Sequence, residues 1–322
     1  METRKEIPIF FTIDDGYAPY LSVAIKSMIQ NASKEYNYRI IVLYKELNEG
    51  NRAKIAKLEE ENFKIDFIYM KDELKTITDR EENRLRCDYF TLTIYFRLFI
   101  PEMFPEYDKG IYIDSDVVVP GDISKMYNID LGDNIVGACQ DKSVVDVPEL
   151  ANYMEQAVGV DKYQYVNSGV LLMNLSKMRE KQFSKRFLDL LNKYHFDSVA
   201  PDQDYLNAIC NGKILYLDSS WDAMPTEGSK EIENPNIIHY NLFQKPWCYD
   251  NIQYADCFWN YAKQTEYYDE IVEFKNNYSE EKKNADKECL ANLIKKADQL
   301  AKTDEMTFKK AMENGEKVRI WL

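Results

Sequence analysis

Two aspartates one residue apart interrupt an apolar run in Ile111-Tyr-Ile-Asp114-Ser-Asp116-Val-Val-Val119. Buried carboxylates are costly without compensation, and each raises the pKa of the other. In extended chain, residues i and i+2 point to the same face. Asp114 and Asp116 are therefore placed to converge on one point, where a divalent cation would offset both charges. A solvated Asp-Ser-Asp turn is the other reading of the same residues. A second apolar run ends on a histidine, in Ile237-Ile-His239-Tyr-Asn-Leu-Phe-Gln-Lys245-Pro-Trp247. The chain has 2 histidines, and His195 only follows an amphipathic segment. An imidazole beside two carboxylates suits Mn²⁺, although a lone histidine at a strand end also serves packing. Lys245, fixed ahead of Pro246, is the kind of cation that a departing diphosphate needs.

Three further segments carry polar groups at the ends of apolar runs. Tyr165-Val-Asn167-Ser-Gly169-Val-Leu-Leu-Met-Asn174 places an amide at Asn167 and allows close backbone approach at Gly169. Ala200-Pro-Asp202-Gln203-Asp204 opens a helix, so Asp202 is either a cap or a site residue. Ile13-Asp14-Asp15-Gly16-Tyr17 joins the first strand to the first helix, the turn that meets a base or phosphate in nucleotide-binding α/β folds. The G-x-G-x-x-G and G-x-x-x-x-G-K-[ST] patterns are absent from it, which disfavours dinucleotide and P-loop readings.

The elements that must hold these residues alternate. Ile7–Ile13, Arg39–Tyr44, Phe63–Met70, Gly110–Ile113, Ile135–Cys139 and Gly169–Asn174 read as strands. Tyr17–Asn31, Asn51–Glu61 and Thr91–Ile100 read as helices. That alternation predicts a mostly parallel α/β sheet flanked by helices, with its ligands beyond the carboxyl ends of the strands. Residues 249–278 are rich in aromatics. In residues 281–322, Leu290, Leu293, Ile294, Ala297 and Leu300 fall at helical spacing. Asp304 is a candidate cap for another short helix and Asn314-Gly315 its end. The chain thus divides into residues 1–278 and a helical C-terminal appendage, 279–322.

Of the 322 residues, 45% are hydrophobic and 30% charged, and the net charge is −14, which argues against nucleic acid as a partner. The 6 cysteines form no C-x-x-C pair, so zinc ribbons and redox motifs are disfavoured and a reducing cytoplasm is expected. No apolar run reaches the roughly 18 residues of a membrane span. Residues 281–322 carry a net charge of +2 against −16 for the rest, and end in Val318-Arg-Ile-Trp321-Leu322. Peripheral contact with the inner face of the membrane and docking on the chain's own domain are the two readings of this tail.

Taken in order, Asp14-Asp15-Gly-Tyr17, Tyr95-Phe-Arg97-Leu, Tyr112-Ile-Asp114-Ser-Asp116, Asn167-Ser-Gly169-Val-Leu-Leu-Met-Asn174, Asp202-Gln203-Asp204-Tyr-Leu-Asn207 and His239-(five residues)-Lys245-Pro-Trp247 resemble glycosyltransferase family 8. That family includes bacterial lipopolysaccharide galactosyl- and glucosyltransferases and glycogenin. The resemblance covers roughly residues 7–250. It implies a GT-A fold, a UDP-sugar donor, Mn²⁺ (or Mg²⁺), retention of anomeric configuration, and a glycan or lipid-linked acceptor. It implies Asp114, Asp116 and His239 as metal ligands, Asp14 and Tyr17 on the uridine, Arg97 on the donor, and Lys245 on the diphosphate. Asp141, Asn167, Asp202 and Gln203 would line the sugar and acceptor pocket. Asp204 is the nearby carboxylate that could act as a nucleophile. Bacterial relatives often have glycine three residues after the metal histidine, where this chain has Leu242. The alternatives are a sugar-phosphate nucleotidyltransferase, which would want a basic Gly-rich loop after the first strand, and a non-catalytic nucleotide-sugar binding protein.

Overall fold

The apolar runs become a central sheet. The structure is a computed structural model that describes residues 4–70, 92–226 and 228–321. Its strands are β1 (Glu6–Ile13), β2 (Asn37–Tyr44), β3 (Phe63–Tyr69), β4 (Gly110–Ile113), β5 (Val117–Val118), β6 (Val136–Gln140), β7 (Val166–Met173), β8 (Ile214–Tyr216) and β9 (Ile238–His239). Seven of them form one sheet in the order β3-β2-β1-β4-β7-β6-β8. β1 runs parallel to β2 and β4, β2 to β3, and β6 to β8, while β7 is antiparallel to β4 and β6. β5 and β9 pair as a separate antiparallel ribbon.

Helices cover both faces, so the inner strands are buried on both sides and read as continuous apolar runs. Alternate residues still separate into two cores. Ile7, Ile9, Phe11 and Ile13 face one, and Phe10, Ile41, Leu43 and Tyr112 face the other. The alternation of Phe63–Tyr69 fits its place at the sheet's edge.

Three expectations shift. The helix expected over Asn51–Glu61 is Glu49–Ala56, started by Asn48, whose side chain accepts from the Asn51 N–H at 2.9 Å. Thr91 lies outside the described residues, and Leu92–Leu98 is a 3₁₀ segment followed by an α-turn, Ile100–Met103. β-Branched and aromatic residues in succession are poor α-helix formers there. The short C-terminal helix, Phe308–Glu313, is capped by Thr307 rather than Asp304, and it ends at Asn314 with Gly315 at φ +86°.

The aromatic stretch packs under the Ala18–Asn31 helix. Trp247 stacks on Tyr20 with ring centroids 4.1 Å apart and lies 4.8 Å from Phe258. The Glu280–Ala301 helix, capped by Ser279, lies along the Pro148–Tyr153 helix and buries Ala297 and Leu300. The end of the chain docks on the Pro201–Cys210 helix: Val318 and Ile320 are buried, and Ile320 N donates to Ile209 O at 2.9 Å. Cys87 lies outside the described residues; Cys139 and Cys210 are buried, Cys248 and Cys257 are half-buried free thiols, and Cys289 is half-buried. No described helix is long and apolar enough to cross a membrane.

Candidate active site

The chemistry-bearing residues meet beyond the carboxyl end of β4. Asp114 follows β4 directly, and its N–H donates to Gly169 O at 2.7 Å, extending the β4–β7 ladder by one bond. The carboxylates of Asp114 and Asp116 do converge, but not by extended-chain alternation: the chain bends at Ser115 and Asp116 before β5 begins. In the β5–β9 ribbon, Val117 pairs with His239, which carries the imidazole beside Asp116. Ligand atoms of Asp114, Asp116 and His239 lie within 4.8 Å of one another, the one such group of three found among the described residues. Gly169 makes room for them. A Cβ there would meet the His239 ring and sit 2.6 Å from Asp114 Oδ2, so no other residue fits without displacing two of the three ligands.

Each ligand is held from behind. Asp114 Oδ1 accepts from Arg97 at 2.9 Å and from Tyr112 Oη at 2.6 Å. Asp116 Oδ2 accepts from Lys245 Nζ at 2.6 Å, and Lys245 also donates to Tyr240 O at 3.0 Å. His239 Nδ1 lies 3.0 Å from Asp222 Oδ1, which aims Nε2 at the aspartates. Burial opposes charge on His239, but Asp222 and Asp116 outweigh it and push the ring's pKa up to about 10. Burial likewise works to raise Asp116, yet Lys245 and His239 hold it well below the usual carboxylate range. Burial pushes Asp222 up, against the pull of His239.

These contacts test the cation reading. Asp116 Oδ1 is buried, accepts no hydrogen bond, and stands 3.3 Å from His239 Nε2. Four carboxylates stand here with two permanent cations: Arg97 pairs with Asp114 and Asp202, Lys245 pairs with Asp116, and Asp222 pairs with His239. Two negative charges are left unmatched. A proton on His239 offsets one; a divalent cation offsets both and leaves the imidazole neutral as a ligand. The donor set therefore fits a divalent ion.

The other sequence-predicted residues surround this cluster. Tyr17 lies beside Lys245, with Nζ 5.8 Å from its ring centroid. Burial raises the Asp14 carboxyl, partly offset by the N–H groups of Gly16 and Tyr17. Asp15 points away and accepts from Asn48 and Asn51 at 2.7–3.0 Å, tying the first turn to the second. Arg97 is buried behind the site, donating to Ser168 O at 2.7 Å and pairing with Asp202 at 3.2 Å. Asp202 is thus joined to Asp114 through one guanidinium. Asp141 Oδ2 accepts from Gln203 Nε2 at 2.9 Å and Asn167 Nδ2 at 3.1 Å, while Gln203 Oε1 accepts from Ser168 N at 3.0 Å.

Asp204 stands apart. Its carboxylate accepts from Tyr153 Oη at 2.7 Å, Tyr165 Oη at 2.5 Å, the Ser198 hydroxyl and Ala200 N at 3.2 Å. Fully buried and satisfied by four donors, it is occupied with holding two tyrosines, a poor position for a nucleophile. Asp222 was not legible in the sequence. It reaches His239 because Ala223 bridges Ile238, a contact between distant segments with no local pattern. Leu242 adopts φ +50°, so the backbone keeps a glycine-like conformation at the position where glycine is absent.

The comparisons agree with this geometry. The family model for glycosyl transferase family 8 matches residues 8–251. A Haemophilus influenzae protein that bears a glycosyltransferase name is 31% identical over 220 residues, covering 68% of this chain and 64% of its own length. The Escherichia coli lipopolysaccharide 1,2-glucosyltransferase is 25% identical over 261 residues, covering 77% of this chain and 74% of the relative. Among solved structures, the galactosyltransferase LgtC in complex with donor and acceptor sugar analogs superposes with a TM-score of 0.67 at 27% identity, covering 87% of this chain and 100% of that one. The architecture is the GT-A fold.

Proposed function

The chain belongs to glycosyltransferase family 8, and from that premise we propose that it is a retaining hexosyltransferase moving glucose or galactose from a UDP-sugar to a hydroxyl of a glycan or lipid-linked acceptor. The observation that carries the reading is the Asp114–Asp116–His239 cluster, in which Asp116 Oδ1 faces His239 Nε2 at 3.3 Å while Oδ2 is held by Lys245. LgtC with its sugar analogs, and the glucosyltransferase relative, support a hexose donor and a sugar acceptor.

Mn²⁺, or Mg²⁺ in its place, would be held by Asp114, Asp116 and His239 and would supply Lewis-acid stabilisation of the leaving diphosphate. Lys245 adds a fixed positive charge on the same side. Asp14 and Tyr17 are assigned to the uridine. Arg97 braces Asp114 and Asp202 and so acts on the donor through them. Asp141, Asn167 and Gln203 form a linked set of polar groups suited to orienting the sugar. In the reaction, the anomeric C–O bond to UDP breaks and a C–O bond to the acceptor forms on the same face. The acceptor's proton passes to the departing phosphate oxygen, so no side-chain base is required. The carboxamide of Gln203 is a weak nucleophile, and Asp204 is assigned a positioning role.

We place the activity in the cytoplasm, which the thiols of Cys139, Cys210, Cys248 and Cys257 fit. The tail is assigned mainly to packing: Val318 and Ile320 are buried in its own chain, and Trp321, although exposed, donates its Nε1–H to Asn211 O at 2.5 Å. Incubation with a panel of nucleotide-sugars and Mn²⁺, scored by release of the nucleotide, tests the donor assignment. UDP-glucose or UDP-galactose is expected to be turned over in preference to GDP- and CMP-sugars; preference for either of the latter overturns the uridine reading.

A further inference from the structure

The apolar stripe of the Glu280–Ala301 helix is buried to different depths along its length. Ala297 and Leu300 are buried in the core, whereas Leu290, Leu293 and Ile294 are half-buried. These three stand over a cavity of about 220 Å³ whose facing wall includes Val147, Leu150 and Met154. Tyr153 and Tyr165, the two rings whose hydroxyls are held by Asp204, also line it. Its polar lining comes from Asp141, Gln203, Ser143 and Asn241, with Thr226 and Gln244. The cavity is therefore continuous with the residues assigned to the transferred sugar, and the aliphatic side chains of its wall have no hydrogen bonds to offer.

We infer that this cavity is an acceptor-side subsite for an apolar group, an aryl ring or short alkyl chain, attached to the sugar whose hydroxyl is presented at Asp141 and Gln203. Bare apolar walls gain free energy when an apolar group displaces water from them. A sugar needs polar partners on the surface it lies against, and the wall made by Leu290, Leu293, Ile294, Val147, Leu150 and Met154 supplies none, so that wall suits an apolar group while the polar lining suits the sugar. An apolar cavity of about 150 Å³ accepts benzene, so this one takes a ring or a chain of roughly six carbons, and only the first part of a longer lipid. The C-terminal helix is then a specificity element as well as a packing one. The inference rests on the transferase reading for the acceptor's identity as a glycoside, but not for the binding itself.

The test is equilibrium binding of methyl and hexyl β-glucosides and β-galactosides to the full chain, below micellar concentrations, with no donor present. Five added methylenes that become fully buried predict tighter binding of the hexyl glycoside by on the order of 1000-fold. Two variants act on the cavity differently: Leu293→Asp puts a charge in its wall, and Leu290→Trp fills it. Both are expected to bring the hexyl preference below about fivefold, with binding of UDP and Mn²⁺ as the check that the donor side is intact. Equal binding of methyl and hexyl glycosides, binding of neither, or a preference that survives Leu290→Trp each overturns the subsite. Failure of the transferase reading looks different: no nucleotide-sugar is turned over while the hexyl preference persists.

Discussion

The donor side and the acceptor side of the site are built by opposite means. On the donor side every ligand has a charged or hydrogen-bonding partner behind it: Arg97 behind Asp114, Lys245 behind Asp116 and Asp222 behind His239. These groups hang from strand ends and a two-residue ribbon, where backbone hydrogen bonds fix them. In the cavity proposed for the acceptor, the buried Leu150 and Met154 face the half-buried Leu290, Leu293 and Ile294 of a helix near the end of the chain. The difference teaches where precision is placed. Charge stabilisation needs fixed distances in a water-poor setting, so it sits on the sheet. Recognition of an apolar group needs only shape and area, so a packed helix suffices.

The largest expected effect comes from breaking the donor side's charge balance. Arg97→Met leaves Asp114 and Asp202 without their shared cation, and removing one partner of a buried pair costs about 3–5 kcal/mol. Urea denaturation measures it; a loss below about 1 kcal/mol would mean the pairs behave like surface ones. A smaller effect sharpens the comparison by acting one step back from the ligands. Asp222→Asn weakens the orientation of His239, and loss of such a partner lowers metal affinity by about 10–100-fold. Titration of Mn²⁺ by isothermal calorimetry reads this directly, and unchanged affinity would remove Asp222 from the site. The smallest effect lies at the border of the two sides. Leu242 holds φ +50°, a conformation costing a non-glycine residue roughly 1–2 kcal/mol. Leu242→Gly is therefore expected to be more stable than Leu242→Ala by about 1 kcal/mol, the reverse of the order in a helix.

The Asp114–Asp116–His239 cluster was largely legible in the sequence because its residues end apolar runs, and the runs themselves became β4, β5 and β9, while Lys245 stood out by its place ahead of Pro246. What brings them together was only partly legible. The bend at Ser115–Asp116 replaces the extended alternation that the spacing suggested. Asp222 gave no local signal, since a single bridge between Ala223 and Ile238 sets its place. Asp204 looked like Asp202 in the sequence, yet one faces Arg97 and the other faces two tyrosines. Helical periodicity found the stripe from Leu290 to Leu300, but periodicity does not distinguish a side chain that packs from one that lines a cavity.

The central claim is that a divalent cation on Asp114, Asp116 and His239 carries the transfer. The most direct measurement is UDP release from UDP-glucose and UDP-galactose by chelator-treated protein as Mn²⁺ is added back, for the native chain and for Asp116→Asn. The account predicts negligible release without metal, saturable recovery with Mn²⁺ in the native chain, and recovery lower by about 10²–10³-fold in a variant that still folds. Full release in excess EDTA, or full recovery in Asp116→Asn, would contradict it.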